Sequence, residues 1–378
     1  MRILWFPRLQ ADIDRFHRVT WRKMAEALQG EGHSVRVAVA GLQGEESGSI
    51  PLPLWAFRGG RLLSFWILGR IAFSRELSRF RPDVVILDPF SFWFAFPSLL
   101  FRKRPLYVLD HRTPLDHGSR KGRGGAKLLA HFLERLSGWV SRRFFDGITV
   151  ITPYYKERVV RQGARPDRVG VWGSGVDTEL FDPARAKGPK RPPWLEGKFV
   201  LMQHGELSYN RGLLEVVEAL RKQRESRVAL VLLGDGPARR ELEDLAREPD
   251  LQGRLFLLDP ISFEEVPSRL LWADLGVLLY PETEYWRCNH PLKLFEYLAM
   301  ERPVLAGELF RPLDPRGGSL FFLGTASLAS FLESPPLEEL LRDRGLQGRR
   351  MVLEQWSWQA QGERLTEFLR SLSGRRKT

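Results

Sequence analysis

The chain has 378 residues, 43% of them hydrophobic and 28% charged, with a formal net charge of +12 and a pI near 10.1. That is the composition of a soluble globular protein too long for one ordinary core, so about two domains are expected. No run reaches the roughly 18 apolar residues of a spanning helix; the single cysteine, Cys288, rules out an internal disulfide, and seven scattered histidines offer no zinc spacing, so no metal held by protein alone is expected.

Strand and helix patterns alternate from the start. Ile3–Phe6 reads as a strand, because MRILWFPRLQ lacks an apolar run of signal-peptide length, and the expected compartment is the cytoplasm. A helix around Val19–Gln29, a turn at Gly30–Gly32 and a strand at Ser34–Val39 complete a βαβ opening. Leu62–Arg81 follows as a helix with Leu62, Phe65, Trp66, Phe73 and Leu77 on its apolar side and Arg61, Arg70, Arg75, Arg79 and Arg81 between them. Such a helix lies on anionic lipid or, more commonly, packs on a sheet with a solvated charged face. Val84–Leu87 is a buried strand running into the aromatic DPFSFWFAFPSLLF, Asp88–Phe101, with Arg102, Lys103 and Arg104 behind it. This mixture suits a membrane interface and a buried helix equally.

The next strand, Leu106–Leu109, delivers Asp110, His111, Arg112 and Thr113 at its C-terminal end, where open α/β sheets place their chemistry. A lone histidine in such a place is more often structural than functional. Arg120–Arg143 holds Lys121, Arg123, Lys127, Arg135, Arg142 and Arg143 against Glu134, with Gly122, Gly124 and Gly125 as a loop ahead of a helix. It reads as a solvated face or as a seat for a lipid-linked phosphate. Strands at Gly147–Thr152 and Arg168–Trp172 flank a helix at Tyr154–Gln162. Pro183–Pro193, rich in proline, lysine and arginine without apolar periodicity, is a linker, which places domains at 1–185 and 186–358.

The second half repeats a plan of strand, glycine turn and helix: Lys198–His204, Gly205, then Gly212–Leu220; and Val228–Leu233, GDGP at Gly234–Pro237, then a helix with Arg240, Leu242 and Leu245. Strands at Arg254–Leu258 and Leu275–Tyr280 and an exposed loop, Pro281–Asn289, lead to HPLKLFEYLAMERPV, His290–Val304. Leu292, Phe295, Leu298 and Ala299 recur there at helical spacing, which turns Lys293 and Glu296 together onto another face. A helix start favours phosphate through its free N–H groups and dipole, a lysine adds charge, and a carboxylate one turn on accepts sugar hydroxyls. The plainer reading is a surface salt bridge between neighbours on a helix.

The run PLKLFEYLAMERPV resembles the donor-site segment of GT-B glycosyltransferases of the retaining family 4, in which a glutamate of this helix holds the ribose of a sugar nucleotide; Glu296 takes that place. The family's second glutamate, eight residues earlier, is here Cys288. GSGVDTELFDP, Gly173–Pro183, resembles the signature at the end of the first domain, and Gly32, His33, Ser34 and Val35 match a pattern before the second strand, while PRLQADID replaces the usual glycine-rich loop. The family's diphosphate-gripping arginine and lysine fall on Glu206 and Arg211. The resemblance implies an α/β protein of GT-B fold, two Rossmann-like domains facing across a cleft, with a C-terminal helix at about 359–378 crossing back to the first. It implies donor-diphosphate contacts from Gly205, Arg211 and Lys293, nucleoside contacts from Gly234 and Glu296, sugar contacts from Asn289 and His290, and a catalytic place beside the transferred sugar for His111.

The expected activity is that of a retaining glycosyltransferase moving a sugar from a UDP- or GDP-linked donor, without cofactor or metal, to an acceptor that is lipid-linked or a polysaccharide precursor in envelope glycan synthesis. Basic and aromatic residues from Arg61 to Arg143 add the expectation of peripheral attachment to the inner face of an anionic membrane. A sugar-nucleotide epimerase of the same architecture stays open, as does a catalytically lapsed nucleotide-sugar binder, the latter because of Cys288 and Glu206. Nucleic acid is not an expected partner, since no recognition motif accompanies the charge.

Overall fold

Strand β1, Arg2–Phe6, sends Leu4 and Phe6 into one apolar cluster and Ile3 and Trp5 into another, as the two-residue period of a strand buried on both faces requires. In this computed structural model the described residues are 1–7, 15–40, 48–52, 60–101, 103–112, 124–223, 227–314, 317–324 and 327–376, without the side chains of 15–19, 40, 61 and 124–127. The stretch PRLQADID from Arg8 onward lies outside them, as do Arg102, Thr113, Arg120, Lys121, Gly122 and Arg123 and the side chains of Arg61 and Lys127.

Strands β2 (Ser34–Ala40), β3 (Ser49–Leu52), β4 (Val84–Leu87), β5 (Leu106–His111), β6 (Gly147–Val150) and β7 (Val169–Val171) join β1 in a seven-stranded parallel sheet of order β3-β2-β1-β4-β5-β6-β7. Helix α1 (Arg15–Gly30) and the chain's last helix, Trp358–Arg375, cover one face, tied together where His33 Nε2 meets Thr366 Oγ1 at 3.0 Å. Helices α2 (Gly60–Phe80) and α3 (Gly124–Phe144) cover the other, closing Phe65, Phe73, Leu133 and Val140 over Phe6, Phe94 and Tyr107. The rings there meet edge-on, Phe6 lying 5.4 Å from Phe73 and 5.8 Å from Phe94 between centroids. Helix α4 (Pro153–Arg161) starts where Thr152 accepts the Tyr155 N–H at 3.0 Å and Pro153 takes the first helical position.

Three expectations need correction in this half. Gly124 and Gly125, read as loop, are the first residues of α3. The aromatic run is two short 3₁₀ turns, Phe92–Ala95 and Ser98–Leu100, which bury Phe92 and Phe94 and expose Phe96, Leu100 and Phe101, so neither a single buried helix nor a uniform interface describes it. Strand β5 continues through Asp110 and His111, both buried.

The second sheet is also parallel: β8 (Phe199–His204), β9 (Val228–Leu233), β10 (Leu255–Leu258), β11 (Leu275–Leu278), β12 (Val304–Ala306) and β13 (Leu320–Phe322), in the order β10-β9-β8-β11-β12-β13. Around it lie α5 (Leu213–Lys222), α6 (Arg239–Ala246), α7 (Val266–Leu270), α8 (Glu284–Arg287), α9 (Leu292–Ala299), α10 (Leu328–Glu333) and α11 (Glu338–Met351). The strand order runs outward from β8 in both directions, through β9 on one side and β11 on the other, so the switch point lies outside the C-terminal ends of β8 and β11.

The chain divides into two compact units, one of Met1–Gly175, Cys288–His290 and Trp358–Thr378, the other of Val176–Arg287 and Pro291–Ser357. The division falls ahead of the expected 185. Composition marks the proline-rich stretch, but the apolar anchors precede it: the Val176 N–H donates to Trp356 O at 2.8 Å, Phe181 is fully buried, and Arg349 pairs with Asp182 at 3.2 Å. Nor is that stretch a free tether. Trp272 Nε1 donates to Pro189 O at 2.9 Å, and Arg191 pairs with Asp274 at 3.1 Å.

Candidate functional site

At the end of β8 the backbone turns through Gly205 with φ +97°, and the space a Cβ would fill is taken by Lys293, whose Cε lies 2.3 Å and Nζ 2.6 Å from that point. Gly234, at the end of β9 with φ +141°, stands so close that a Cβ would lie 2.0 Å from the Gly205 carbonyl oxygen. The two glycines therefore let β8, β9 and the lysine of α9 meet at the switch point. Among the described residues Lys293 Nζ has no ion pair or hydrogen bond. Burial, and then the charge of Arg211, hold its ammonium below the ordinary lysine value.

Helix α9 is shorter than the sequence pattern reads. It opens at Pro291 and stops at Met300, because Glu301 adopts a left-handed φ of +56°. Glu296 faces inward, buried, and its Oε2 accepts from His204 Nε2 at 2.7 Å, which displaces the surface salt bridge to Lys293 as its pairing. His204 sits at the C-terminal end of β8 and was not singled out from sequence, although its place directly before the glycine turn is the signal that points to it. Burial lowers the affinity of His204 for a proton despite Glu296, so it is the neutral imidazole that donates, and its Nδ1 has no partner. Burial alone raises the Glu296 carboxyl, but the His204 hydrogen bond and the nearby charges outweigh it and keep it below the usual carboxylate range.

Arg211 lies on the short turn before α5, its guanidinium carbon 5.5 Å from the Tyr280 ring centroid and 5.6 Å from that of Trp286, within cation–π range of both. Its Nη1 donates to Tyr280 Oη at 2.8 Å and its Nη2 to Glu206 Oε2 at 2.9 Å. The reversed charge at Glu206 thus pairs with the retained cation. Burial works against the Arg211 charge, and Tyr280 and Glu206 more than restore it. Gly205, Arg211, Gly234, Lys293 and Glu296 all belong to the second unit.

The other candidates belong to the first unit. His111 Nδ1 pairs with Tyr155 Oη at 2.9 Å, and the preceding Asp110 accepts from Thr149 Oγ1 at 2.9 Å. Arg112 stacks on Trp172, 3.6 Å from the ring centroid, and donates to Trp172 O at 3.0 Å; burial pulls its guanidinium down to about 10. The loop read as exposed is only partly so. Trp286 and Cys288 are buried, and Cys288 enters an apolar cluster with Ile148, Tyr155 and Val159. A carboxylate at that position would lose water beside these hydrocarbon groups, a cost that the thiol does not carry. Asn289 is half-buried, and His290 is buried and pushed down to about 3, first by burial and then by Arg112 and Arg364, so it is neutral at pH 7. Among the described residues no three or more His, Cys, Asp or Glu side chains cluster as a metal site.

Residues 18–180 match the profile of glycosyltransferase family 4, and residues 198–315 that of the glycosyl transferases group 1. The GDP-mannose-dependent alpha-(1-6)-phosphatidylinositol monomannoside mannosyltransferase of Mycobacterium tuberculosis is 26% identical over 290 residues, covering 70% of this chain and 73% of that one. Among solved structures, Anabaena Alr3699/HepE in complex with UDP superposes with a TM-score of 0.69 at 14% identity, covering 98% of this chain and all of that one. The sucrose-phosphate synthase of Thermosynechococcus elongatus gives a TM-score of 0.72 at 16% identity over 99% of this chain and 100% of its own. At such identities the structural likeness speaks for the fold.

Proposed function

We propose, for a chain that belongs to the family 4-like glycosyltransferases and has the GT-B fold, that a sugar passes with retention from a nucleoside-diphosphate donor held by the second unit to an acceptor held by the first. One observation carries the donor half: at the switch point of the sheet, Lys293 lies on Gly205 with an unpaired ammonium, and the buried His204–Glu296 pair stands behind it. A diphosphate supplies the anion that the ammonium lacks. Glu296, ionised and fixed by His204, has an oxygen left to accept ribose hydroxyls.

As the bond from sugar to diphosphate breaks, negative charge grows on the leaving oxygen, and in this reading Lys293 and Arg211 hold it. In this reading their two charges make a metal unnecessary. Gly234, packed on the Gly205 carbonyl, brings the end of β9 beside the nucleoside in this reading. His111, its ring oriented by Tyr155, contacts the sugar or the attacking hydroxyl, and Asn289 with neutral His290 contacts the sugar.

Relatives support the donor class, since HepE has been crystallised with UDP and with UDP-glucose and the mycobacterial relative is named for GDP-mannose. That relative is also named for a phosphatidylinositol mannoside, which supports a lipid-linked acceptor here and work at the inner face of a membrane in envelope glycan synthesis. The test is a thermal-shift screen against UDP, GDP, ADP and their sugars, followed by transfer to lipid extracts with the anomeric configuration read by NMR. One base should raise the melting temperature, because a ligand bound only by the folded state stabilises it. No shift with any nucleoside diphosphate sinks the donor assignment, and inversion at the anomeric carbon sinks retention.

A further inference from the structure

Eleven exposed large hydrophobic side chains are described in the first unit, and every one of them lies on the layer formed by α2, α3 and the segment 96–101. Their arrangement follows from the helix period. Leu63, Ile67 and Ile71 recur every four residues along α2, opposite the buried Phe65 and Phe73, and Ile71 is 61% exposed. On α3, Leu128, Phe132, Arg135 and Trp139 form a second stripe opposite the buried Leu133 and Val140, with Leu128 72% exposed. Leu100, 82% exposed, and Phe101 project from the segment between β4 and β5. These pieces are held together: Arg70 Nη2 donates to Phe96 O at 3.0 Å, and Arg104 pairs with Asp146 beyond the end of α3 at 2.6 Å. Scattered apolar side chains are ordinary on a surface, but two ridges and a third apolar projection on one layer are not.

The charges on the same layer choose its occupant. Among the described residues of α2, 96–101 and α3 the carboxylates are Glu76, buried beneath Arg36 at 2.5 Å, and Glu134, against exposed Arg75, Arg79, Arg135 and Arg143. A second copy of the chain on a two-fold axis would set these arginines against themselves. We propose that this layer docks on an anionic phospholipid bilayer, with the aliphatic and aromatic ridges entering the headgroup boundary and the arginines meeting lipid phosphates. Such a face combines apolar insertion with cationic attraction, neither of which anchors strongly alone. No described helix is long and apolar enough to cross a membrane, so the contact is one of surface. The inference rests on the reading of a lipid-linked acceptor and adds to it the residues that touch lipid; of the basic stretch from Arg61 to Arg143, Arg120, Lys121 and Arg123 lie outside the described residues.

The test is co-sedimentation of the full chain with vesicles of phosphatidylglycerol and phosphatidylcholine in equal parts, and with phosphatidylcholine alone, with sedimentation velocity of the free protein beside it. The wild type should bind the mixed vesicles at low salt, lose them at high salt, and ignore the neutral ones. The double variant Ile71→Glu, Phe132→Glu and the double variant Arg135→Glu, Arg143→Glu should each bind about tenfold more weakly or worse. Both pairs are exposed, so nucleoside-diphosphate binding reports that the fold is kept. Wild type left in the supernatant with anionic vesicles overturns the proposal, as does undiminished sedimentation of both variants. A dimer broken by the variants without any vesicle binding assigns the face to a second copy instead. Failure of the glycosyl-transfer reading shows separately, as vesicle binding by a protein that binds no nucleoside diphosphate.

Discussion

His204 Nε2 and Glu296 Oε2 lie 2.7 Å apart with both side chains almost closed to solvent, one at the end of β8 and the other in the middle of α9. Because the imidazole is neutral and the carboxylate ionised, the pair carries a net negative charge held by a hydrogen bond, and that bond fixes which carboxylate oxygen remains available. Removing either partner strands the other in a buried place.

Glu296→Ala should therefore weaken nucleotide-sugar binding by roughly 1.5–3 kcal/mol, the usual worth of hydrogen bonds to a charged group, and should also lower stability by leaving the His204 N–H unpaired. Calorimetric titration of a variant shown to be folded decides this. Unaltered donor affinity would remove Glu296 from the site.

Much of this was legible beforehand. Val84–Leu87 and Val228–Leu233 form strands with the bounds read from sequence, because parallel strands buried on both faces appear as unbroken apolar runs. The glycine turns at Gly205 and Gly234 were legible for the same local reason. What could not be read depends on partners distant in sequence. Glu296 looks solvent-facing by helical period, and only the arrival of β8 buries it against His204, 92 residues away. Cys288 looks like a lost carboxylate in an exposed loop, and only its packing with Ile148 and Tyr155 shows that the position is buried in an apolar cluster. The aromatics of 88–101 were ambiguous because one short segment both fills the core with Phe94 and exposes Leu100.

Lys293→Ala and Arg211→Ala should each weaken nucleoside diphosphates while leaving the unphosphorylated nucleoside nearly unaffected, with the larger loss at Lys293. Arg211 already shares its charge with Glu206, whose side chain is 58% exposed. Glu206→Gln should accordingly strengthen diphosphate binding slightly, by up to about 1 kcal/mol, since an exposed pair is worth little. Equal losses for nucleoside and diphosphate would indicate misfolding instead.

Burial holds the Lys293 ammonium below its ordinary 10.5, and an arriving diphosphate favours the charged form. Binding then takes up a proton on the alkaline side, so affinity should fall as pH rises through the depressed value of the free protein. Lys293→Gln should bind more weakly and lose that alkaline limb. A limb that persists in the variant assigns it to another group.

Gly205→Ala and Gly234→Ala separate site from fold. At Gly205 the new methyl meets the far end of Lys293, which can swing aside, so that variant should stay folded and lose diphosphate affinity, with some strain from its φ of +97°. At Gly234 the methyl would lie 2.0 Å from a backbone oxygen, which cannot yield without shifting β8, and the melting temperature should drop by many degrees. Thermal melts with and without nucleotide read both, and the opposite ranking of the two stabilities contradicts the geometry.

Acid should destabilise the chain before its ordinary carboxylates titrate. His33, His204 and His290 all have folded affinities for protons below the ordinary 6.5, that of His290 falling to about 3. Below pH 6.5 the unfolded chain takes up protons at these positions that the folded chain refuses, so stability is full above that pH and declines as pH falls, at up to about 1.4 kcal/mol per pH unit for each such proton. Glu296 acts in the same direction further down: with its folded value below 4.5, its contribution is lost as pH falls through that folded value. Urea unfolding at a series of pH values between 7 and 5 should show stability falling toward acid, and His290→Gln should flatten the slope because the replacement binds no proton in either state. A slope the same in His290→Gln as in the wild type would mean that this histidine charges in the folded protein, contrary to its burial beside Arg112 and Arg364.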